Sequence, residues 1–295
     1  MSDFKPDYIP LHEWMTIPQF DNLSLYEMTL PGTHNAGCDW QASYAPTVKN
    51  WVACQDISFY SQLYRGSRVL DVRLSYRGSA QGFNRFRFQH NGYLSSRTLE
   101  DLIRDLKTFL VERPGEFIIL DFHKLDKGDG DFNFTEFSDL MLQHLGERMI
   151  PTANRYMTLG QLRQASPLQR ILVAGSLPYN SGNRFFHSSI GHKWINQKVV
   201  STTALHKYIT QVMSEPMSRD RLWSLSATSF TVGGPQRILE DLDVWFDPAK
   251  TNWAKKCNII NFDFIKDSKI VLFCHAANVE KAKEKSLLTA RAQTV

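Results

Sequence analysis

The chain changes its hydrophobic period as it is read from one end to the other. Short runs rich in β-branched and aromatic residues recur at Leu23–Leu30, Ser67–Tyr76, Arg85–His90, Glu116–Leu125, Arg170–Leu177, Leu222–Phe230 and Asn258–Ile265. Such runs predict strands. Between several of them the apolar residues recur at helical spacing. The clearest case is TLEDLIRDLKTFLVERPGE, where Leu99, Leu102, Ile103, Leu106, Phe109 and Leu110 share one face and Pro114-Gly115 supplies the stop. FTEFSDLMLQHLGER and TALHKYITQVMSEPM predict two more amphipathic helices. SKIVLFCHAANVEKAKEK reads either as a last helix or, through its IVLF core, as a strand. Strands alternating with helices over this length predict a parallel sheet, and a barrel with helices outside is the commonest solution. Its active site would lie at the C-terminal ends of the strands.

With 295 residues, 42% of them apolar, the chain can bury a large core. No internal repeat or linker divides it, so one barrel domain over 1–295 is expected, with 1–22 as an N-terminal lead and 279–295 as a basic, solvated helix end. No run is long enough to span a bilayer, and MSDFKPDYIPLHEW carries acidic residues and proline where a secretory signal needs a basic start and an apolar run. A cytoplasmic protein is the expectation, or one exported without an ordinary signal. Cys38, Cys54, Cys257 and Cys274 form no C-x-x-C pair and read as buried, reduced hydrophobes. A net charge of +4 is too mild for a nucleic-acid binder but favours an anionic membrane face.

Several strand runs end in, or carry late, residues with little value for packing: His34 after LSLYEMTL, Asp71 and Arg73 in VLDVRL, His90 after RFRFQ, and Asp263 in NIINFDFI. Asp71 and Arg73, two apart, share a strand face. Two histidines suit phosphodiester cleavage by an internal hydroxyl, in which a neutral imidazole takes one proton and an imidazolium gives another to the leaving oxygen. An arginine between them would neutralise the phosphoryl oxygens, and an aspartate behind one ring would fix its tautomer.

LPGTHNAG, GSRVLDVRLSYRG, RFQHNGYLSSRTLEDLIRDLKTFLVERPGEFIILDF and NIINFDFI, in this order, resemble the X-domain of phosphatidylinositol-specific phospholipase C, nearest its single-domain bacterial and X-domain-only members. The resemblance implies a distorted, incompletely closed TIM-type (β/α) barrel that cleaves phosphatidylinositol or a related inositol lipid to diacylglycerol and a cyclic inositol phosphate. It makes His34 the general base on the inositol 2-hydroxyl, Asp263 its partner, and His90 the general acid. Arg73 stands against the phosphate with Asp71 beside it. The implied partners are a membrane surface, touched peripherally, and the lipid substrate, with no nucleic acid and a monomeric state.

The chain departs from that pattern in places. Asn35 follows His34 where bacterial members carry an aspartate, and Ala174, Gly175 and Ser176 occupy the position of a ring-binding arginine. His206 falls near another ring-binding acid, His123 with Lys124 is placed to favour a phosphorylated headgroup, and these three with Asn35 are the expected substrate-binding residues. With Arg73 and His123 where calcium-dependent members have acidic ligands, neither a metal nor another cofactor is expected. Trp51 with Lys49, and Trp245 with Phe246, are the expected membrane contacts. Two alternatives share the barrel: a catalytically silent lipid-binding module, and a glycerophosphodiester phosphodiesterase, for which the H-R-G opening and E-x-D pair are missing.

Overall fold

In a computed structural model the structure describes residues 10–177, 184–216 and 220–293. The strands are β1 (Leu30–Thr33), β2 (Val69–Tyr76), β3 (Phe86–His90), β4 (Tyr93–Thr98), β5 (Ile118–Asp126), β6 (Ile171–Gly175), β7 (Phe186–His187), β8 (Gly191–Lys193), β9 (Trp223–Ser226), β10 (Ser229–Thr231), β11 (Gly234–Gln236) and β12 (Ile259–Phe262). Eight of them run in the order β7-β6-β5-β2-β1-β12-β9-β8, every neighbouring pair parallel. The sheet curls into a barrel whose ends, β7 and β8, follow one another in the chain but do not pair. This is the distorted, unclosed barrel expected. The β3–β4 hairpin is added antiparallel to the outer part of β2.

Register explains which side chains face inward. Gly32 lies beside Val69 and Asn261, Val69 beside Ile119, and Ile119 beside Leu172, forming one inner row. Side chains alternate along a strand, so two residues further on the inner row becomes His34, Asp71, Asp121, Ala174 and Asp263. The intervening residues Leu70, Val72, Leu120, Phe122 and Val173 face outward and pack beneath the helices Leu99–Glu112 and Phe134–Leu145. On the first of these helices Leu99, Leu102, Leu106 and Phe109 are fully buried, each contributing about 1.5–3 kcal/mol of transfer free energy. Thr98 and Asp101 close its N-terminus as a capping box, and the chain leaves it at Arg113, before Pro114.

Two sequence expectations change, and one open reading is decided. LSLYEMTL is turns and a bridge, with the strand confined to Leu30–Thr33, because Asn258 takes up the carbonyls of Leu25 and Met28 in place of a ladder. LWSLSATSF splits into β9 and the first strand of the β10–β11 hairpin. The IVLF run is helix, within Ile270–Gln293. Ile270, Val271 and Cys274 lie buried on its inner side. Of the N-terminal lead, residues 1–9 lie outside the described ones, and two short 3-10 helices, Leu11–Thr16 and Pro18–Asn22, follow. All four cysteines are buried and unpaired, as expected.

Candidate active site

His34 is delivered by the end of β1. Its backbone N–H donates to the Phe262 carbonyl (3.0 Å), and the Gln55 amide donates to the carbonyls of both His34 and Phe262 (3.0 Å each), locking the tips of β1 and β12 together. Beyond His34 the chain turns sharply through Asn35 at φ 47°, a left-handed conformation that asparagine tolerates better than most residues. Gly37 then passes so close to the Phe88 ring that a Cβ would sit 1.9 Å from it. The Pro-Gly-Thr-His-Asn-Ala-Gly stretch is thus a turn built to hold one imidazole at a strand end.

That imidazole is oriented from behind. His34 Nδ1 lies 2.7 Å from Asp263 Oδ1, with the carboxylate buried. A carboxylate only accepts, so Nδ1 carries the proton and Nε2 is left as the basic nitrogen. The His90 ring meets the His34 ring edge to face, centroids 5.9 Å apart and planes at 88°. His90 Nδ1 donates to the Val52 carbonyl (3.0 Å), and Phe230 of the β10–β11 hairpin covers its other side at 6.0 Å between centroids. Burial, reinforced by the neighbouring His34, pushes the His90 pKa down to about 3.

Asp71 and Arg73 point inward together. Arg73 grips the carboxylate with two donors, Nε to Oδ1 at 3.0 Å and Nη2 to Oδ2 at 2.8 Å, and Asn261 adds a third bond at 3.2 Å. Burial alone would raise the Asp71 pKa, but the guanidinium outweighs it and holds the group well below the usual carboxylate range. In return Asp71 overcomes the burial of Arg73 and keeps it firmly cationic. The pair uses two of five guanidinium N–H groups, leaving others for an anion.

The expected binding residues divide. Asn35 is fully buried beside His34, with neither atom of its amide bonded. His123 is the extra residue of a β-bulge, since Val72 pairs with Phe122 and Arg73 with Lys124. The bulge leaves His123 near Asp71, Arg73 and His34, whose charges act on it, with the residue itself still exposed. Lys124 sits at the rim and pairs with Asp126 at 3.0 Å. His206 is misplaced by the sequence reading. Its ring packs against Trp245 and Trp253, on the segment leading into the N-terminal end of β12, opposite the site.

Among the expected membrane contacts, Trp51 is 54% exposed, next to the Val52 carbonyl that holds His90, and Lys49 lies 5.4 Å from the Trp40 ring. Phe246 is fully buried against Trp253, and Trp245 packs on the core beside His206, so neither reaches a rim. They close an amphipathic helix, Leu239–Trp245, whose apolar side faces inward. The sequence does not single out the exposed Trp40 and Trp194, nor Asp121 and His192. Asp121, beside Asp71 in register, binds His192 Nε2 at 2.9 Å. Asp121-x-His123 repeats the spacing of Asp71-x-Arg73 and could have flagged the first. His192 lies in a three-residue strand with no apolar run, and no sequence signal marks it.

Two side-chain clusters among the described residues have metal-ligand spacing: His34, Cys54 and Asp263, and Asp121, His123 and His192. In the first, imidazole and carboxylate already bind one another and burial pushes the Cys54 thiol well above its ordinary pKa. That cluster fits a proton-handling dyad.

The curled parallel sheet defines the fold of the bacterial phosphatidylinositol-specific phospholipases C. The chain superposes on the Listeria monocytogenes enzyme with a TM-score of 0.67 at 19% identity, covering 91% of this chain and 99% of that one. A double mutant of the Staphylococcus aureus enzyme gives 0.70 at 14% identity, with 91% and 97% covered. In sequence the chain is similar to a variant-surface-glycoprotein phospholipase C of Trypanosoma cruzi, 33% identical over 159 residues, 50% of this chain and 40% of the relative. It is also similar to human PI-PLC X domain-containing protein 2, 27% identical over 134 residues, 38% of this chain and 43% of the relative. The chain thus spans less than half the length of these two relatives. No family model matches it.

Proposed function

We propose that this chain is a phospholipase C-type phosphodiesterase acting on phosphatidylinositol or a related inositol phospholipid at a membrane surface. The observation that carries the reading is the His34–Asp263 dyad facing His90 across 5.9 Å, with Arg73 beside it. At that separation both rings can reach oxygens of one phosphoryl group within the ~2.6–3.2 Å that proton transfer needs.

His34 Nε2 takes the proton of the inositol 2-hydroxyl, and that oxygen forms a bond to phosphorus. The bond from phosphorus to the diacylglycerol oxygen breaks, and His90 gives that oxygen a proton. Arg73 stabilises the negative charge that builds on the non-bridging oxygens, the largest single contribution in reactions of this type. The products are diacylglycerol and a cyclic inositol phosphate. Asp263 stabilises the imidazolium formed on His34 without itself becoming protonated. The anionic substrate favours the charged form of His90, offsetting the burial that depresses it in the free protein.

Both Asp71 oxygens are held by Arg73, so they make a poor match for calcium, which takes six to eight oxygen ligands. The reading therefore needs no calcium. Vesicles of different headgroup composition, incubated with the protein and a chelator, test it. Release of water-soluble inositol phosphate from phosphatidylinositol vesicles is expected. Vesicle binding without turnover would contradict it and indicate a lipid-binding module.

A further inference from the structure

We propose that Asp121, His123 and His192 form a site for one divalent transition-metal ion of the zinc class, separate from the His34–His90 pair. Three potential ligand atoms from two strands that are not sheet neighbours meet there. His192 Nε2, on β8, lies 2.9 Å from Asp121 Oδ2 and 2.9 Å from His123 Nδ1, both on β5. The two imidazoles cross at 71° with centroids 3.8 Å apart.

Protons alone satisfy this arrangement badly. A nitrogen carries one hydrogen, and on His192 Nε2 that hydrogen belongs to the Asp121 carboxylate, which only accepts. His123 Nδ1 lies nearly equidistant from both His192 nitrogens, 2.9 Å from Nε2 and 3.1 Å from Nδ1, over the ring and not in line with either N–H, so neither hydrogen makes a well-directed bond to it. An ion at the centre uses all three lone pairs. Zinc binds imidazole nitrogen and carboxylate oxygen at ~2.0–2.2 Å, so tetrahedral ligand atoms lie roughly 3.3 Å apart. With the rings turned so that the His123 and His192 lone pairs converge, the 2.9 Å contacts need open by about 0.4 Å.

The surroundings fit as well. Asp121 is 2% exposed, whereas His123 is exposed, which leaves a fourth position open to water or a ligand. Soft nitrogen donors select zinc-like ions over calcium or magnesium. Because β8 is an edge strand of the unclosed barrel, the ion would also pin it to β5. The sequence reading expected no metal, having no signal for His192.

The test needs no lipid, so its outcome is independent of the phosphodiesterase reading. Protein stripped with chelator is titrated with cobalt(II), which absorbs visibly when tetrahedral, and zinc(II) is then added. One equivalent of cobalt should give the band, zinc should abolish it, and the melting temperature should rise with either ion. His123→Ala and His192→Ala, checked as folded by circular dichroism, should lose the band, and His34→Ala should keep it. No band in the wild-type protein up to millimolar cobalt overturns the proposal. A band that survives in His192→Ala or disappears in His34→Ala does so too.

Discussion

His34 and His90 meet edge to face at 5.9 Å although one ends a strand of the barrel and the other ends a strand of an added hairpin. Each ring is fixed from behind by a different acceptor, a carboxylate for His34 and a main-chain carbonyl for His90. That difference is what the proposed roles use: the carboxylate fixes the His34 tautomer with Nε2 free, and the main-chain carbonyl fixes His90 with its own Nε2 turned the other way from its Nδ1.

Replacing Asp263 with Asn removes the charge behind His34 and adds an amide donor that can face Nδ1, so the tautomer is no longer fixed. Turnover of inositol lipid should fall roughly 10²- to 10⁴-fold, the usual worth of one positioned acid or base. The melting temperature should move little. A fall in activity matched by unfolding would show that the aspartate serves the fold alone.

Arg73→Lys keeps the charge but loses the two-pronged grip on Asp71. Most of a roughly 10²- to 10³-fold loss in kcat should therefore remain in the lysine variant. Steady-state kinetics on mixed micelles separates this from a loss confined to KM, which would mean that Arg73 only binds substrate.

Ligand-free His90 should titrate far below an ordinary histidine, near 3, because burial and His34 both disfavour its charge. An inositol phosphate in the site raises that value. The bound state then holds the proton more tightly than the free state, so binding takes up protons and affinity weakens as pH rises. Calorimetry in buffers of different ionisation enthalpy reads the uptake. Proton release on binding would contradict it.

Trp51→Ala should weaken binding to anionic vesicles severalfold while leaving the melting temperature nearly unchanged, since the ring is 54% exposed. Phe246→Ala should do the opposite. Fully buried, it should cost about 3–5 kcal/mol of stability, measured by urea unfolding.

The Arg68–Glu116 pair is wholly buried, Nε to Oε2 at 2.6 Å, and the guanidinium also donates to the carbonyls of Leu11, His12, Leu63 and Ser67. Burial disfavours both charges, lowering the Arg68 pKa and raising that of Glu116, so neither is stable without the other. Glu116→Ala should cost roughly 3–5 kcal/mol. Urea midpoints measure it, and a loss under 1 kcal/mol would contradict the assignment.

The barrel was legible because strand and helix periods alternate cleanly from Val69 to Val173, and the inward face announced itself wherever a charged residue interrupted an apolar run. His34, Asp71, Arg73, His90 and Asp263 were singled out that way. Failures came where an element gives no periodic signal or where a face is decided by packing. His192 sits in a three-residue strand, visible only once β8 pairs with β9. His206 and Phe246 belong to helices whose placement around the barrel is set by tertiary contacts, and sequence spacing could not say which end of the barrel they approach. The bulge that sets His123 beside Arg73 is likewise a property of register.

The central claim, two imidazoles acting on one phosphorus, is tested most directly by following phosphatidylinositol vesicles with ³¹P NMR as the chelator-treated protein acts. The account predicts the signal of a five-membered cyclic inositol phosphate from the wild-type protein and almost none from His34→Ala or His90→Ala, both folded. A product that is acyclic from the first time point, or normal turnover by either variant, would contradict it.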